Sequence, residues 1–255
     1  MTFAQLNAFG LLGFKYCIDK TGEELAFTQN ALTIYIIAAV LCAVMSYFLG
    51  SMNFAIIISK LKYKDDIRKY GSGNAGMTNM LRTYGRAAGI CTFLGDLLKA
   101  VAAVLISRLL FGDPFGYIAT LFCVIGHAFP CWYKFKGGKG VAVACAAILC
   151  LDQLPFVCLL IVFILIVAIT KYLSLGSIMS VLMYPLFLDA FYSLHPYPMF
   201  SKPVATICSV LITCLILYLH RDNMKRLLNK TENKFTFKKK GTRSDKITED
   251  KNDEN

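Results

Sequence analysis

A chain of 255 residues that is 56% hydrophobic and 17% charged is too apolar for an ordinary soluble domain and reads as an all-α polytopic membrane protein. Its net charge of +11 gathers in loops that flank apolar runs, which reports orientation in a bilayer and argues against nucleic acid as the partner. Of ten cysteines, Cys42, Cys91, Cys123, Cys145, Cys150, Cys158, Cys208 and Cys214 lie inside apolar segments with no C-x-x-C pair, so they read as small buried hydrophobes and not as a disulfide framework.

Residues 1–30 mix acids, bases and apolar residues without the pattern of a cleavable signal peptide, and are expected to be an extension outside the membrane. The first apolar run covers 31–58 and turns polar at Gly50, Ser51 and Asn53, an end where a site could be lined or the helix simply kinked. A basic loop over 60–86 follows, carrying Lys60, Lys62, Lys64, Arg68, Lys69, Arg82 and Arg86 against Asp65 and Asp66, and the positive-inside rule makes it cytoplasmic. Further apolar runs cover 87–111, 117–133, 141–151, 155–170, 173–193 and 204–219. They make about seven membrane segments, with 141–151 shorter than the ~17 residues of a perpendicular span. An odd number leaves the N-terminus outside and the C-terminus inside. Loops 134–140 and 171–176 and the tail from His220 then share the side of the first basic loop, while 112–116 and 195–203 lie opposite. After His220 a basic stretch with apolar Met224, Leu227 and Leu228 at helical spacing suits an anionic membrane surface. The membrane domain thus covers 31–235, and 236–255 is a polar tail ending in the disordered, acid-rich stretch 244–255.

Four polar clusters face the cytoplasm in this topology. One is Gly50 to Asn53; a second, from Asp66 to Arg82, sets Ser72, Asn74, Thr78 and Asn79 among Gly71, Gly73 and Gly76, a composition in which successive amides can cradle an anion. A third runs from Gly126 to Gly140 and ends in FKGGKG. It is not a nucleotide P-loop, because Gly140 follows Lys139 where a Ser or Thr must hold magnesium, so it is read as an anion nest with Lys136 and Lys139 as point charges. The fourth runs from His220 to Glu232. No cluster has the spacing of a metal site, and no metal or cofactor is expected. Asp96 and Lys99, three residues apart within the second span, are ionisable groups that must pair or line a polar cavity.

In order along the chain these clusters resemble the bacterial acyl-phosphate:glycerol-3-phosphate acyltransferase family, PlsY. The likeness rests on Gly50-Ser51, Asp66-Ile67-Arg68, Gly71-Ser72-Gly73-Asn74, Gly76, Thr78-Asn79 and Arg82, then on Gly126-His127, Phe129-Pro130 and the run from Phe135 to Ala142. It continues at Tyr172, Ser174-Leu175, Ser177, His220-Arg221, Asn223, Arg226-Leu227-Leu228 and Thr231-Glu232. The resemblance implies a compact bundle of about seven membrane helices in the bacterial cell membrane, with its active site at the cytoplasmic face. It also implies acyl transfer from acyl-phosphate to the sn-1 hydroxyl of glycerol 3-phosphate, without direct use of acyl carrier protein or coenzyme A. Implied partners are these two substrates, membrane lipids and the enzyme that supplies acyl-phosphate.

Carried over residue by residue, the resemblance assigns Ser51, Arg68, Ser72 and Asn74 to the transferred group, and Lys136, Gly137, Gly138, Lys139 and Gly140 to the acyl-phosphate head. It assigns His220, Asn223 and Glu232 to glycerol 3-phosphate, with His127 and Ser177 as further substrate-binding positions. The chemistry agrees, since a mixed anhydride with a good leaving group needs anion neutralisation, positioning and exclusion of water more than a strong base. The H-x-x-x-x-D motif of other acyltransferases is absent: the fifth residue after His127, His195 and His220 is Trp132, Phe200 and Lys225. Departures from the family pattern fall at Asn53 (usually Pro), Met77 (Ala), Ala100 (Gly), Val143 (Thr) and Lys230 (Gly), of which Asn53, Met77 and Lys230 could reshape the pocket. Two other readings compete: an inactive lipid-binding relative, and a small-solute transporter built around Asp96 and Lys99.

Overall fold

Backbone polar groups inside a bilayer need internal partners, and the protein supplies them with helices. The structure, a computed structural model, describes residues 29–194 and 201–234, with side chains from Thr33 onward, and contains no strand among the described residues. The sequence expectations for the N-terminal extension and the polar tail lie outside those residues. The helices are α1 Gln29–Ser51, α2 Phe54–Tyr63, α3 Met77–Tyr84, α4 Arg86–Phe111, α5 Asp113–Ala128, α6 Val141–Leu151, α7 Gln153–Thr170, α8 Leu173–Leu194, α9 Ser201–Leu219 and α10 Arg221–Leu228, with short 3-10 turns at Ile67–Lys69 and Cys131–Tyr133.

Among the described residues six segments are long and apolar enough to cross a membrane, the first of them running Thr33–Tyr63 through the α1–α2 break. Helix α6, at 11 residues, is about 16 Å long and falls short of a bilayer's hydrocarbon core. Helix α5 is the centre of the bundle, packed by α1, α4, α6 and α9, while α7 and α8 pair at the side. Burial runs against hydropathy: the segment containing α5 is 67% buried and the least apolar of the six, whereas α7 is 11% buried and the most apolar. A helix shielded by protein can carry polar groups that a lipid-facing helix cannot. Cysteine placement follows the same division, with Cys42, Cys123 and Cys208 in the core but Cys91, Cys145 and Cys214 exposed on the bundle's outside, where only half of the sequence expectation holds.

Two boundaries differ from the sequence reading. The first apolar run does not continue as one helix: α1 stops at Ser51, and Asn53 restarts the chain by accepting the Ile56 amide with its side chain at 3.2 Å. Gly50 there allows close packing in place of a kink, since a Cβ would run into the Cys123 backbone, and Gly126 answers it against the Tyr47 carbonyl. The loop expected at 112–116 shrinks to Gly112, whose φ of 102° only glycine adopts readily; Pro114 fits the first turn of α5, where no amide bond is lost.

Candidate active site

The predicted polar loops meet at one end of the bundle and lock together. Arg68 is the strap: its guanidinium forms a two-pronged pair with Asp66, with contacts of 2.6 and 2.9 Å, and also donates to the Tyr133 carbonyl at 2.7 Å and the Lys136 carbonyl at 3.0 Å. Four of its five N–H groups are thereby used in joining the first glycine loop to the second. The same hydrogen bonds from Arg68 hold the Asp66 carboxyl below the usual carboxylate range. Inside the first loop the Asn79 side chain replaces a backbone ladder, donating to the carbonyls of Ile67, Tyr70 and Asn74 and accepting the Ser72 amide at 3.1 Å. Gly71 lies against it at φ 58°, where a Cβ would collide with Asn79 Oδ1. The Ser72 side chain is exposed and Asn74 half-buried on the outer rim of this loop.

FKGGKG is positioned by the end of α5. The last carbonyls of a helix have no partner in the helix itself, and Gly137 and Gly138 donate their amides to Ala128 and His127 at 3.0 and 3.1 Å. These two amides therefore close a helix terminus and do not point into an anion nest. Their lack of a side chain matters as much, because a Cβ on Gly137 would strike the His127 carbonyl and one on Gly138 would strike His127 Nε2. The loop then turns at Gly140, φ 78°, into the N-terminus of α6. Among the described residues the amides of Lys139 and Gly140 have no such carbonyl partner, so the anion-binding capacity of the loop rests on them and on the Lys139 side chain.

Lys139 reaches the third cluster. Its ammonium donates to Asn223 Oδ1, and the Asn223 amide donates to Glu232 Oε1 at 2.7 Å. Glu232 also accepts from Ser174 at 2.9 Å and, through Oε2, from Arg226 at 2.7 Å. Burial alone would raise the Glu232 carboxyl, but the donors Arg226, Asn223 and Ser174 outweigh it and keep it low, hence ionised. Burial, with the Arg226 charge behind it, brings Lys139 down to about 8. His220, at the junction of α9 and α10, is held at about 4 by burial and by the Lys139 charge; its ring pairs through Nδ1 with the Ile216 carbonyl at 2.8 Å, so near neutrality it is uncharged. Among the described residues Lys139 thus has no carboxylate within ion-pair distance, and it sits beside neutral donors and a closed Arg226–Glu232 pair.

The other assigned residues are spread more widely. Ser51 is fully buried at the end of α1, its hydroxyl making no well-formed hydrogen bond among the described residues. Ser177 turns back to the Leu173 carbonyl at 2.9 Å, and Lys136 is exposed, contributing its carbonyl to Arg68. Sequence reasoning left Ser174 and Arg226 off the site although both lie in the quoted motifs, and it had no sign that Asn53 would bridge to the first loop by donating to the Ala75 carbonyl at 3.2 Å. Asp96 and Lys99, which stand out in the sequence, have a third partner in His127, 3.5 Å from the Asp96 carboxylate and 2.9 Å from the Lys99 ammonium.

Residues 40–230 match the family model described as glycerol-3-phosphate acyltransferase. The glycerol-3-phosphate acyltransferase of Clostridioides difficile (strain 630) is 43% identical over 210 residues, which cover 80% of this chain and 98% of that one. Glycerol-3-phosphate acyltransferase 2 of Bacillus anthracis is 40% identical over 195 residues, covering 76% and 98%. The crystal structure of PlsY, an integral membrane glycerol 3-phosphate acyltransferase, in its glycerol 3-phosphate form is similar with a TM-score of 0.69 at 34% identity, covering 78% of this chain and 96% of that one. Its lysophosphatidic acid form gives 0.67 at 33%, covering 78% and 95%. With three interlocked loops in the order of the motifs and a likeness spanning nearly the full length of its relatives, this chain belongs to the glycerol-3-phosphate acyltransferase family, PlsY.

Proposed function

We propose that the protein transfers a fatty acyl group from acyl-phosphate to the sn-1 hydroxyl of glycerol 3-phosphate, releasing lysophosphatidic acid and inorganic phosphate as the first step of phospholipid synthesis. The observation that carries this reading is the Lys139–Asn223–Glu232–Ser174 chain with His220 beside it. It offers one half-buried cation and several fixed hydrogen-bonding groups, which suits a phosphate monoester that also carries hydroxyls. The hydroxyl oxygen attacks the acyl carbonyl carbon, a C–O ester bond forms, the bond from that carbon to the phosphate oxygen breaks, and the hydroxyl proton leaves with the phosphate. No strong protein base is required, in keeping with His220, which burial and the Lys139 charge make a poor proton acceptor.

In this reading Lys139, the amides of Lys139 and Gly140, His220, Asn223 and Glu232 hold phosphate and glycerol groups, Ser72 and Asn74 rim the transferred group, and Ser51 joins it when substrate opens the end of α1. Arg68, Gly137, Gly138 and Lys136 serve by holding the loops, and His127 and Ser177 contact substrate at the edge. The active site faces the cytoplasm of a bacterial cell membrane, with the N-terminus outside; the excess of Lys and Arg in these loops supports that orientation. A cysteine introduced at Ser72 in a cysteine-depleted background should then resist an impermeant thiol reagent that reaches one introduced at Phe200 in intact cells; the reverse labelling would invert the orientation.

The donor is tested by giving purified protein glycerol 3-phosphate with acyl-phosphate, acyl-coenzyme A or acyl carrier protein in separate reactions. Phosphate and lysophosphatidic acid are expected from acyl-phosphate alone. Turnover with only a thioester donor would overturn the assignment.

A further inference from the structure

Lys99 sits in the middle of α4 with its side chain 3% exposed, beside an Asp96 carboxylate that is equally buried. Its ammonium makes three contacts: 2.7 Å to Asp96 Oδ1, 2.9 Å to the Met52 carbonyl and 2.9 Å to His127 Nδ1. The contacts to Met52 and His127 are hydrogen bonds and that to Asp96 Oδ1 is an ion pair without hydrogen-bond geometry; an ammonium donates and has no acceptor. Nδ1 of His127 must therefore present its lone pair to Lys99, which leaves the imidazole proton on Nε2. The competing contact, Nδ1 to Asp96 Oδ1, is 3.5 Å and too long to be the dominant bond.

Both ends of this arrangement touch groups of the active site. Met52 lies between Ser51 and Asn53, so the bond to its carbonyl fixes the turn that ends α1 and starts α2. Nε2 lies against Gly138, at the seam where the Ala75 carbonyl of the first glycine loop meets the second. Ala75 is held there by Asn53 at 3.2 Å and by a longer amide contact to the Gly137 carbonyl at 3.5 Å. We propose that Lys99, charge-balanced by Asp96, is a positioning residue for acyl transfer: it holds His127 with the proton on Nε2 and keeps the Ser51 turn in register with the loop that presents Lys139.

This rests on the acyltransferase reading for its kinetic consequence but not for the tautomer. A buried pair kept only for stability would alter melting and leave the folded enzyme's turnover unchanged; a positioning pair changes kcat. Removing Lys99 alone would strand the Asp96 charge, so the variant is the neutral double substitution Asp96→Asn with Lys99→Met. With three histidines in the chain, protein labelled with nitrogen-15 histidine in detergent should resolve His127, assigned through a His127→Gln sample.

In the wild type, His127 should show a pyridine-like Nδ1 and a pyrrole-like Nε2. The double variant should show a mixture of tautomers, with kcat lower by about 10²-fold for a misplaced loop and KM for glycerol 3-phosphate within about threefold, the signature of lost transition-state alignment. A protonated Nδ1 in the wild type overturns the proposal, as does a folded double variant with wild-type kcat. The wild-type spectrum decides the tautomer even if the double variant fails to fold. Wild-type protein inactive with acyl-phosphate would sink the acyl-phosphate reading instead, leaving the tautomer result intact.

Discussion

His127 and Tyr117 lie ten residues apart on α5, about 15 Å of helix, and each anchors a buried polar cluster of a different kind. At the His127 end the groups come from loops distant in sequence, and the carboxylates Asp66 and Glu232 are kept ionised by the donors around them. At the Tyr117 end, Arg108 is taken up by Asp113 at 2.8 Å and the Cys150 carbonyl at 3.0 Å. Asp152, in the α6–α7 connection, accepts from the Tyr117 hydroxyl at 2.7 Å, and Tyr117 also meets the Tyr192 hydroxyl at 2.8 Å. Burial pushes Asp152 up to about 6. One end therefore keeps its carboxylates charged and leaves Lys139 hydrogen-bonded to Asn223 without a carboxylate of its own; the other pairs Arg108 with Asp113 and makes the Asp152 carboxylate costly. That difference is why the proposed function puts the doubly charged phosphates at the first.

The sharpest way to break this contrast is to remove one group at each end. Lys139→Ala should lower kcat/KM by about 10²–10³-fold, the magnitude for loss of a charged donor at a reacting phosphate, whereas Asp152→Asn should change it by less than about threefold; steady-state kinetics with both substrates check the pair. Next in size is a pH effect. Because Lys139 titrates at about 8, KM for glycerol 3-phosphate should rise about tenfold per pH unit above that value as the ammonium is lost. Glu232→Gln removes the carboxylate that favours the charged lysine, so this alkaline limb should move to lower pH.

Stability separates the ends with opposite sign. Asp152 has its pKa raised in the folded state, so the folded protein binds more protons than the unfolded chain between about 4 and 6 and is destabilised as pH rises through that window. Asp66 and Glu232 are lowered, so their stabilisation is present at neutral pH and lost as pH falls through their folded values. Melting curves should thus show Asp152→Asn raising the midpoint at pH 7 by a few degrees, with little gain at pH 4. The smallest effect is expected at Lys230, which adopts φ 55° just after α10; Lys230→Gly should stabilise by about 1 kcal/mol in denaturant titrations, because glycine carries no left-handed penalty.

The Lys230 position also shows how far the sequence could be read. The resemblance marked it as a missing glycine, and the backbone there is the left-handed cap that glycine would suit. Spans were legible because lipid-facing helices such as α7 have to be apolar throughout, and the four polar clusters were legible as neighbours because span parity put them on one side. Less legible was anything decided by tertiary partners. FKGGKG reads as an anion cradle until the unsatisfied carbonyls at the end of α5 claim the amides of Gly137 and Gly138. Arg68 is assigned by the resemblance to the transferred group, yet Asp66 and two carbonyls take up its guanidinium. The residues at 112–116 look like a turn because Gly and Pro cluster there, yet Pro at a helix start is compatible with the helix.

Glycerol 3-phosphate binding measured by calorimetry on the wild type, Lys139→Ala and Asp152→Asn tests most directly whether the glycine-loop end is the substrate site. Binding should be lost in Lys139→Ala and keep its wild-type affinity in Asp152→Asn. Undiminished binding to Lys139→Ala, or binding lost only in Asp152→Asn, would contradict the account.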